Sequence, residues 1–293
     1  MLDLREIRRP ASAAEAVRLL AESEGSGLYV AGGTILVTSG SRRLGFLVDL
    51  TSAGLGGLRV DTAAGSSGTL IIGATVTVGE LLRATEAGRP AGGLLREATS
   101  WLANHTVRNL ATVGGNLMAW HFPTDLPPAL LVLDASVRVM GRSGERIVPI
   151  DRLYAARREV FARGDLIADV RVPAATPGLR GAFEKHGRKR LDVALVNCAA
   201  AVRLDGGRIA EARLALNGVG GPPARRPDIE AFLAGKEPSP AVFEEAGRMV
   251  SAAVTPRSDH RASAAYRTRL AGVAARRALA RAGGVLPVAG AEE

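Results

Sequence analysis

Two stretches of this chain set paired glycines between apolar residues and a hydroxyl side chain. The first is Val30-Ala31-Gly32-Gly33-Thr34-Ile35-Leu36 and the second is Ala111-Thr112-Val113-Gly114-Gly115-Asn116-Leu117. Glycine lets the main chain turn sharply and approach a ligand with no Cβ in the way. Successive N–H groups in such a turn form a nest for an anion, and two nests suit a diphosphate. Taken singly, each pair also reads as a plain turn. Neither stretch has G-x-x-x-x-G-K-[S/T] or G-x-G-x-x-G spacing, so a nucleoside triphosphatase or a Rossmann site is unsupported. His105, His121, His186 and His260 lack metal-ligand spacing and have no cysteine beside them, so no metal site is expected. His121, nearest the second stretch, reads as structural or solvent-facing rather than as a proton donor. With Cys198 as its single cysteine, the chain makes no internal disulfide and ligates no iron–sulfur cluster alone.

The elements that must carry these stretches are legible in part. Ser12 to Glu15 has the form of a capping box and opens a helix through Val17, Leu19 and Leu20. Leu28 to Val30 and Phe46 to Leu50 read as strands, so the first ~55 residues form a small β-α-β unit around the first glycine pair. Leu70 to Ile72 is an apolar run, Thr77 to Glu80 is a second capping box, and a helix is expected around Leu94 to Leu102. The second glycine pair then forms a loop. Pro127 and Pro128 suit a first helical turn leading into Ala129 to Leu133. Strands at Val137 to Met140, Ile147 to Val148 and Leu166 to Val172 follow, and Pro173 to Gly178 reads as a linker. Val193 to Leu204 and Arg208 to Leu216 flank Asp205-Gly206-Gly207 as a hairpin. Helices are expected over Ala241 to Ala253 and Ser263 to Ala282, the latter with Tyr266, Leu270 and Val273 on one face.

At 293 residues, 47% hydrophobic and 23% charged, the chain has the composition of a folded two-domain protein. A net charge of +9 raises the question of nucleic acid. Lysine occurs only at Lys185, Lys189 and Lys236, and the arginines are spread along the chain among acidic residues, without a nucleic-acid-binding motif. No apolar run approaches the ~18 residues of a membrane span and the amino terminus has no signal-like apolar segment, so a cytoplasmic chain is expected.

A resemblance adds to this reading. AGGT at Ala31, VRNLATVGGN from Val107 to Asn116 and FPTDLPPALLVLDA from Phe122 to Ala135 occur in an order that resembles the FAD-binding, medium subunit of molybdenum hydroxylases of the xanthine and carbon monoxide dehydrogenase type. DLIADVRVP from Asp165, FEKHGRKRLDVALVNCAA from Phe183, LALNGVGGPPARR from Leu214 and SDHRASAAYR from Ser258 extend it over nearly the whole chain. The resemblance implies an α+β protein: a two-subdomain FAD-binding fold of the vanillyl-alcohol oxidase and p-cresol methylhydroxylase type over residues 1–176, divided near residue 55. A carboxy-terminal α+β domain over 177–283 and a tail over 284–293 follow.

It further implies noncovalent FAD, with Gly32, Gly33, Thr34, Ile35 and Leu36 of the first loop and Thr112, Gly114, Gly115 and Asn116 of the second around the diphosphate. Asp125 matches an acidic position that contacts the cofactor, although an aspartate there also suits a helix N-terminus. Ile167 and Lys185 match positions near the flavin ring, the lysine as a cation toward the reduced ring; pairing of Lys185 with Glu184 or Asp192 at the surface is the alternative. Leu102 stands where some relatives carry an aromatic residue, and Ile35 to Val37 are apolar where relatives often have polar side chains. The implied role is an electron-transfer subunit of an oxidoreductase, with the molybdenum cofactor on a large partner, 2Fe-2S clusters on a small partner, and a dimer of heterotrimers as the assembly. A self-sufficient FAD-dependent oxidase and a non-catalytic assembly subunit are the alternatives.

Overall fold

The computed structural model describes residues 2–23, 26–38, 42–62, 68–84, 90–120, 122–173 and 176–286. His121, part of the Pro173–Gly178 linker and most of the tail lie outside them. Among the described residues the strands are β1 (Leu2–Arg8), β2 (Gly27–Val30), β3 (Arg42–Asp49), β4 (Leu58–Asp61), β5 (Thr69–Gly73), β6 (Ser136–Gly141), β7 (Gly144–Pro149), β8 (Leu166–Pro173), β9 (Arg180–His186), β10 (Val196–Asp205), β11 (Arg208–Asn217) and β12 (Ala224–Arg225). The helices are α1 (Ala13–Glu22), α2 (Val78–Ala84), α3 (Pro90–Ser100), α4 (His105–Arg108), α5 (Val113–Leu117), α6 (Leu126–Val132), α7 (Ile150–Ala155), α8 (Arg157–Val160), α9 (Pro227–Leu233), α10 (Pro240–Ala253) and α11 (Ala264–Ala282).

The chain divides into two compact units whose segments alternate along the sequence. The first comprises Met1–Ala84, Asn104–Ala119 and Ala135–Pro173, and the second Thr85–Ala103, Trp120–Asp134 and Ala174–Glu293.

In the first unit β1 and β2 flank β3 in a parallel three-stranded sheet. A parallel pair needs a crossover, and α1 supplies it between β1 and β2. Its capping box forms: the Glu15 amide donates to Ser12 Oγ at 3.2 Å and the Glu15 carboxylate accepts from the Ala11 amide at 2.8 Å. Ala16, Val17 and Leu20 of α1 pack with Phe46 and Val48 of β3, with Leu50 just beyond it, and with Leu166 and Ala168 of β8. The second sheet is antiparallel, in the order β4-β5-β8-β6-β7. After β5 the chain enters α2 through a complete capping box, with Thr77 and Glu80 amides each bonded to the other's side chain at 2.8 and 3.1 Å.

In the second unit the antiparallel sheet β12-β11-β10-β9 carries the core. Cys198, Ala200 and Val202 of β10 and Leu214 and Leu216 of β11 pack against α9, α10 and α11. Cys198 is fully buried there, and burial pushes its thiol pKa up, away from reactivity. Helices α10 and α11 cross where Gly247 and Gly272 meet, a Cβ on Gly247 falling 2.7 Å from the Gly272 carbonyl oxygen. So close a crossing leaves room only for small side chains. The buried face of α11 is accordingly Ala271, Ala274, Ala275 and Ala278 with Leu270 and Leu279, whereas Tyr266, expected on that face, is 46% exposed. The SDHRASAAYR segment builds the entry to α11: Asp259 Oδ1 accepts from the Arg261 and Ala262 amides and from Arg267, whose guanidinium also donates to the Leu195 carbonyl at 2.6 Å.

Candidate cofactor site

The first unit brings both glycine stretches together. Leaving β2, the chain makes one turn in which the Val37 amide donates to the Gly33 carbonyl at 3.0 Å and the Thr38 hydroxyl donates to the Thr34 and Ile35 carbonyls. Gly33 has φ of +66°, a left-handed conformation natural to glycine, and a Cβ there would make only ordinary contact with the Val30 and Val37 methyls. Gly32 has a different reason to be glycine: a Cβ there would overlap the Leu110 carbonyl oxygen. Its close approach seats the first turn directly on the residues that lead into the second stretch. Among the described residues, the amides of Gly32, Gly33 and Thr34 donate to no backbone carbonyl, which leaves them available to an anion. Ile35 and Leu36 are half-buried, and Val37 is exposed.

The second stretch departs from the expected loop. Residues 113–117 form one helical turn, α5, with Thr112 at its N-cap and the Gly115 amide donating to Thr112 Oγ1 at 3.2 Å. The Val113 and Gly114 amides donate to the Val76 and Ala74 carbonyls and the Asn116 amide to the Thr112 carbonyl. These amides are therefore satisfied within the protein. Gly114 is needed for packing, because its Cβ would lie 2.9 Å from Ala74 Cβ and 3.0 Å from the Ala74 oxygen. Gly115 is exposed, and a Cβ on it would meet only the Thr112 hydroxyl. Asn116 is buried. Ile167 is also buried, on β8, and its neighbour Ala168 accepts from the Ala74 amide, linking β8 to the same segment.

The second unit gathers Leu102, Asp125 and Lys185. Lys185 Nζ lies 2.7 Å from Asp125 Oδ2 and 2.9 Å from the Trp101 carbonyl oxygen, one residue before the buried Leu102. Both charged side chains are almost wholly buried, at 2% and 6% exposure. The surface pairing of Lys185 with Glu184 or Asp192 is thus replaced by a buried one. Glu184 is instead bonded to Arg281 at 2.9 Å. Asp125 does occupy the N-cap position of α6, but its side chain makes no capping bond and turns to Lys185 and to Asn197, whose Nδ2 donates to Oδ1 at 2.9 Å. Burial raises the Asp125 pKa above the usual range, against the opposing pull of the Lys185 ammonium and the Asn197 amide. Asn197 escaped the sequence reading, although an asparagine amid the apolar run Val193 to Ala201 signals a buried amide in need of partners.

Within the first unit, free main-chain amides beside a left-handed glycine suit a diphosphate. Comparison with known proteins agrees. A family model described as the FAD binding domain in molybdopterin dehydrogenase matches residues 4–175, and one described as the CO dehydrogenase flavoprotein C-terminal domain matches residues 181–282. The carbon monoxide dehydrogenase medium chain of Hydrogenophaga pseudoflava is 30% identical over 281 residues, covering 94% of this chain and 95% of that one. The xanthine dehydrogenase FAD-binding subunit of Escherichia coli O157:H7 is 30% identical over 275 residues, covering 92% and 93%. The structure of the cyanide-inactivated Cu,Mo-CO dehydrogenase includes a chain that superposes with a TM-score of 0.87 at 28% identity, covering 98% of this chain and 100% of that one.

The fold and the site define a flavoprotein subunit of an oxidoreductase. The chain belongs to the molybdenum hydroxylase family, as its medium, FAD-binding subunit.

Proposed function

We propose that this chain is the electron-transfer subunit of a three-part enzyme. It takes electrons from 2Fe-2S clusters on a small partner and passes them to an external acceptor, while a large partner carries the molybdenum cofactor and meets the organic substrate. FAD, held noncovalently, supplies the ability to collect single electrons and release them as a pair. The observation that carries this reading is the first turn, where the unpaired amides of Gly32, Gly33 and Thr34 stand beside the close contact with Leu110.

Gly32 to Leu36, with Thr112, Gly114, Gly115 and Asn116, make the diphosphate cradle, in which Gly114 and Thr112 shape the turn and the exposed Gly115 admits the ligand. Ile167 and Leu102 offer apolar surface to the cofactor. Asp125 fixes Lys185, and Lys185 stabilises negative charge on the ring. The single cysteine at Cys198, fully buried, supports placing the iron–sulfur clusters on another chain. Among the described residues, no helix is long and apolar enough to cross a membrane. The division of the sequence at residue 176, a cytoplasmic location and a dimer of heterotrimers complete the proposal.

Reconstitution tests it. The purified chain incubated with FAD should retain about one flavin after gel filtration and release it on acid treatment, as a noncovalent cofactor does. A folded chain that retains no flavin absorbance refutes the cofactor reading. Co-expression with the two partner chains should give a complex whose flavin bleaches on addition of the substrate; bleaching at the same rate in the isolated chain would instead establish a self-sufficient oxidase.

A further inference from the structure

Lys185, Asn197 and Asn217 lie in one row across three strands. In register, Asn197 of β10 stands opposite Lys185 of β9 on one side and Asn217 of β11 on the other. Directly opposed residues share a face of the sheet. Two residues further along the same face the row is Phe183, Ala199 and Ala215, all buried and apolar. A polar row at the end of an apolar face is costly unless its groups are bonded, and here its amide donors converge on residues 123–125, with Asn197 Oδ1 left without a partner among the described residues. Asn197 Nδ2 donates to Asp125 Oδ1 at 2.9 Å and to the Thr124 carbonyl at 3.0 Å, and Asn217 Nδ2 donates to the same Thr124 carbonyl at 3.2 Å.

The orientation of the Asn197 amide is set by these partners. Its nitrogen faces a carboxylate and the Thr124 carbonyl, with the Pro123 carbonyl at 3.4 Å, and reversal would press Oδ1 against three acceptors. Asn197 is fully buried, so water does not substitute for it. With one carboxylate oxygen bound to Asn197, the other is aimed at Lys185, and the carboxylate is kept from turning back to cap α6.

We propose that Asn197, assisted by Asn217, is a positioning residue of the cofactor site: by holding the Asp125 carboxylate it fixes the Lys185 ammonium and thereby sets the electrostatic field acting on the flavin. The inference rests on the assignment of Asp125 and Lys185 to FAD made above. Asn197 brings no charge of its own. Its contribution is to satisfy one oxygen of a buried carboxylate, so that the carboxylate and the ammonium hold a single geometry.

The test uses the full chain reconstituted with FAD, with the flavin midpoint potential, the FAD dissociation constant and the melting temperature measured together. Asn197→Leu should lower FAD affinity at least tenfold and displace the potential. The double variant Asn197→Asp with Asp125→Asn exchanges donor and acceptor at constant net charge. It should recover the melting temperature but not the potential, because the carboxylate has moved from the start of α6 to β10. Recovery of both, or a folded Asn197→Leu variant with unchanged affinity and potential, would make Asn197 structural only and overturn the inference. Should Asn197→Leu not fold, the double variant alone decides. Lys185→Met separates the two levels. If it leaves affinity and potential unchanged, the flavin role of Lys185 falls and the inference with it; if it alters them while the Asn197 variants do not, the inference falls alone.

Discussion

Adjacent glycines in α5 allow packing and ligand binding to be told apart. Gly115→Ala adds a methyl that meets only the Thr112 hydroxyl, at 2.9 Å, and that hydroxyl can rotate away. Rotation sacrifices the N-cap bond to the Gly115 amide, worth about 1 kcal/mol. Replacing glycine by alanine within a helical turn returns roughly 1 kcal/mol, so stability should barely change. Gly114→Ala is opposed by the main chain of Ala74, at 3.0 Å from the new methyl, and main chain yields less readily than a hydroxyl. Overpacking of that kind costs about 1–3 kcal/mol, which leaves a net loss of up to about 2 kcal/mol after the helical gain. The FAD response should run the other way. On the proposed cradle, Gly115→Ala should weaken FAD at least tenfold, or about 1.4 kcal/mol, because its methyl would then enter the diphosphate's space. Urea denaturation of the FAD-free chain gives the first quantity, and titration of FAD into that chain gives the second. Unchanged FAD affinity in a folded Gly115→Ala variant would remove α5 from the diphosphate site, and a Gly114→Ala variant more stable than the parent would refute the packing argument.

Two further outcomes follow from charged groups in the second unit. Lys185→Met leaves the buried Asp125 carboxylate without its cation and should cost about 3–5 kcal/mol in urea denaturation, most of it recovered by pairing the change with Asp125→Leu. Asp259 is partly buried, which raises its pKa, but the Arg261 and Ala262 amides and the Arg267 guanidinium outweigh this and hold its carboxyl well below the usual range. A carboxylate with a lowered folded-state pKa contributes stability that is present above about pH 4, the unfolded value, and is lost as pH falls toward the folded one. Asp259→Asn should therefore flatten the acid limb of the thermal stability profile while leaving its shape above pH 5 unchanged; an unaltered acid limb would count against this account.

The parts of the fold legible in the sequence are those encoded locally. Both capping boxes, the paired prolines at the start of α6 and the turn at Asp205-Gly206-Gly207 depend on residues a few positions apart, and all three kinds of signal lie where expected. What escaped depends on distant partners. Strand β1 was not anticipated because Asp3, Arg5 and Glu6 interrupt its apolar pattern, and its backbone pairing to β3 compensates. Strand β9 carries Glu184 and Lys185, whose charges are met by Arg281 and Asp125 roughly a hundred and sixty residues apart from each other. The helical form of the second glycine stretch runs against the low helix propensity of Gly-Gly, and it is held by the Ala74 and Val76 carbonyls, invisible in the local sequence. For the candidate site, residue types and order pointed to the glycines and to Lys185, but neither disclosed the Asp125 partner nor the asparagine row.

The alternation of the two units along the chain bears on how the protein is made. A ribosome delivers Thr85–Ala103 and Trp120–Asp134 long before the sheet of the second unit exists. Helix α6, every residue of which is buried in the finished fold, must wait for β10 and β11 some seventy to ninety positions later. Contacts so far apart in sequence slow folding and leave apolar surface uncovered in the interval. Until its last third emerges the nascent chain leaves α6 without its partners, and a fragment ending at residue 175, where the first family model stops, would lack the strands β9, β10 and β11 on which α3 and α6 pack.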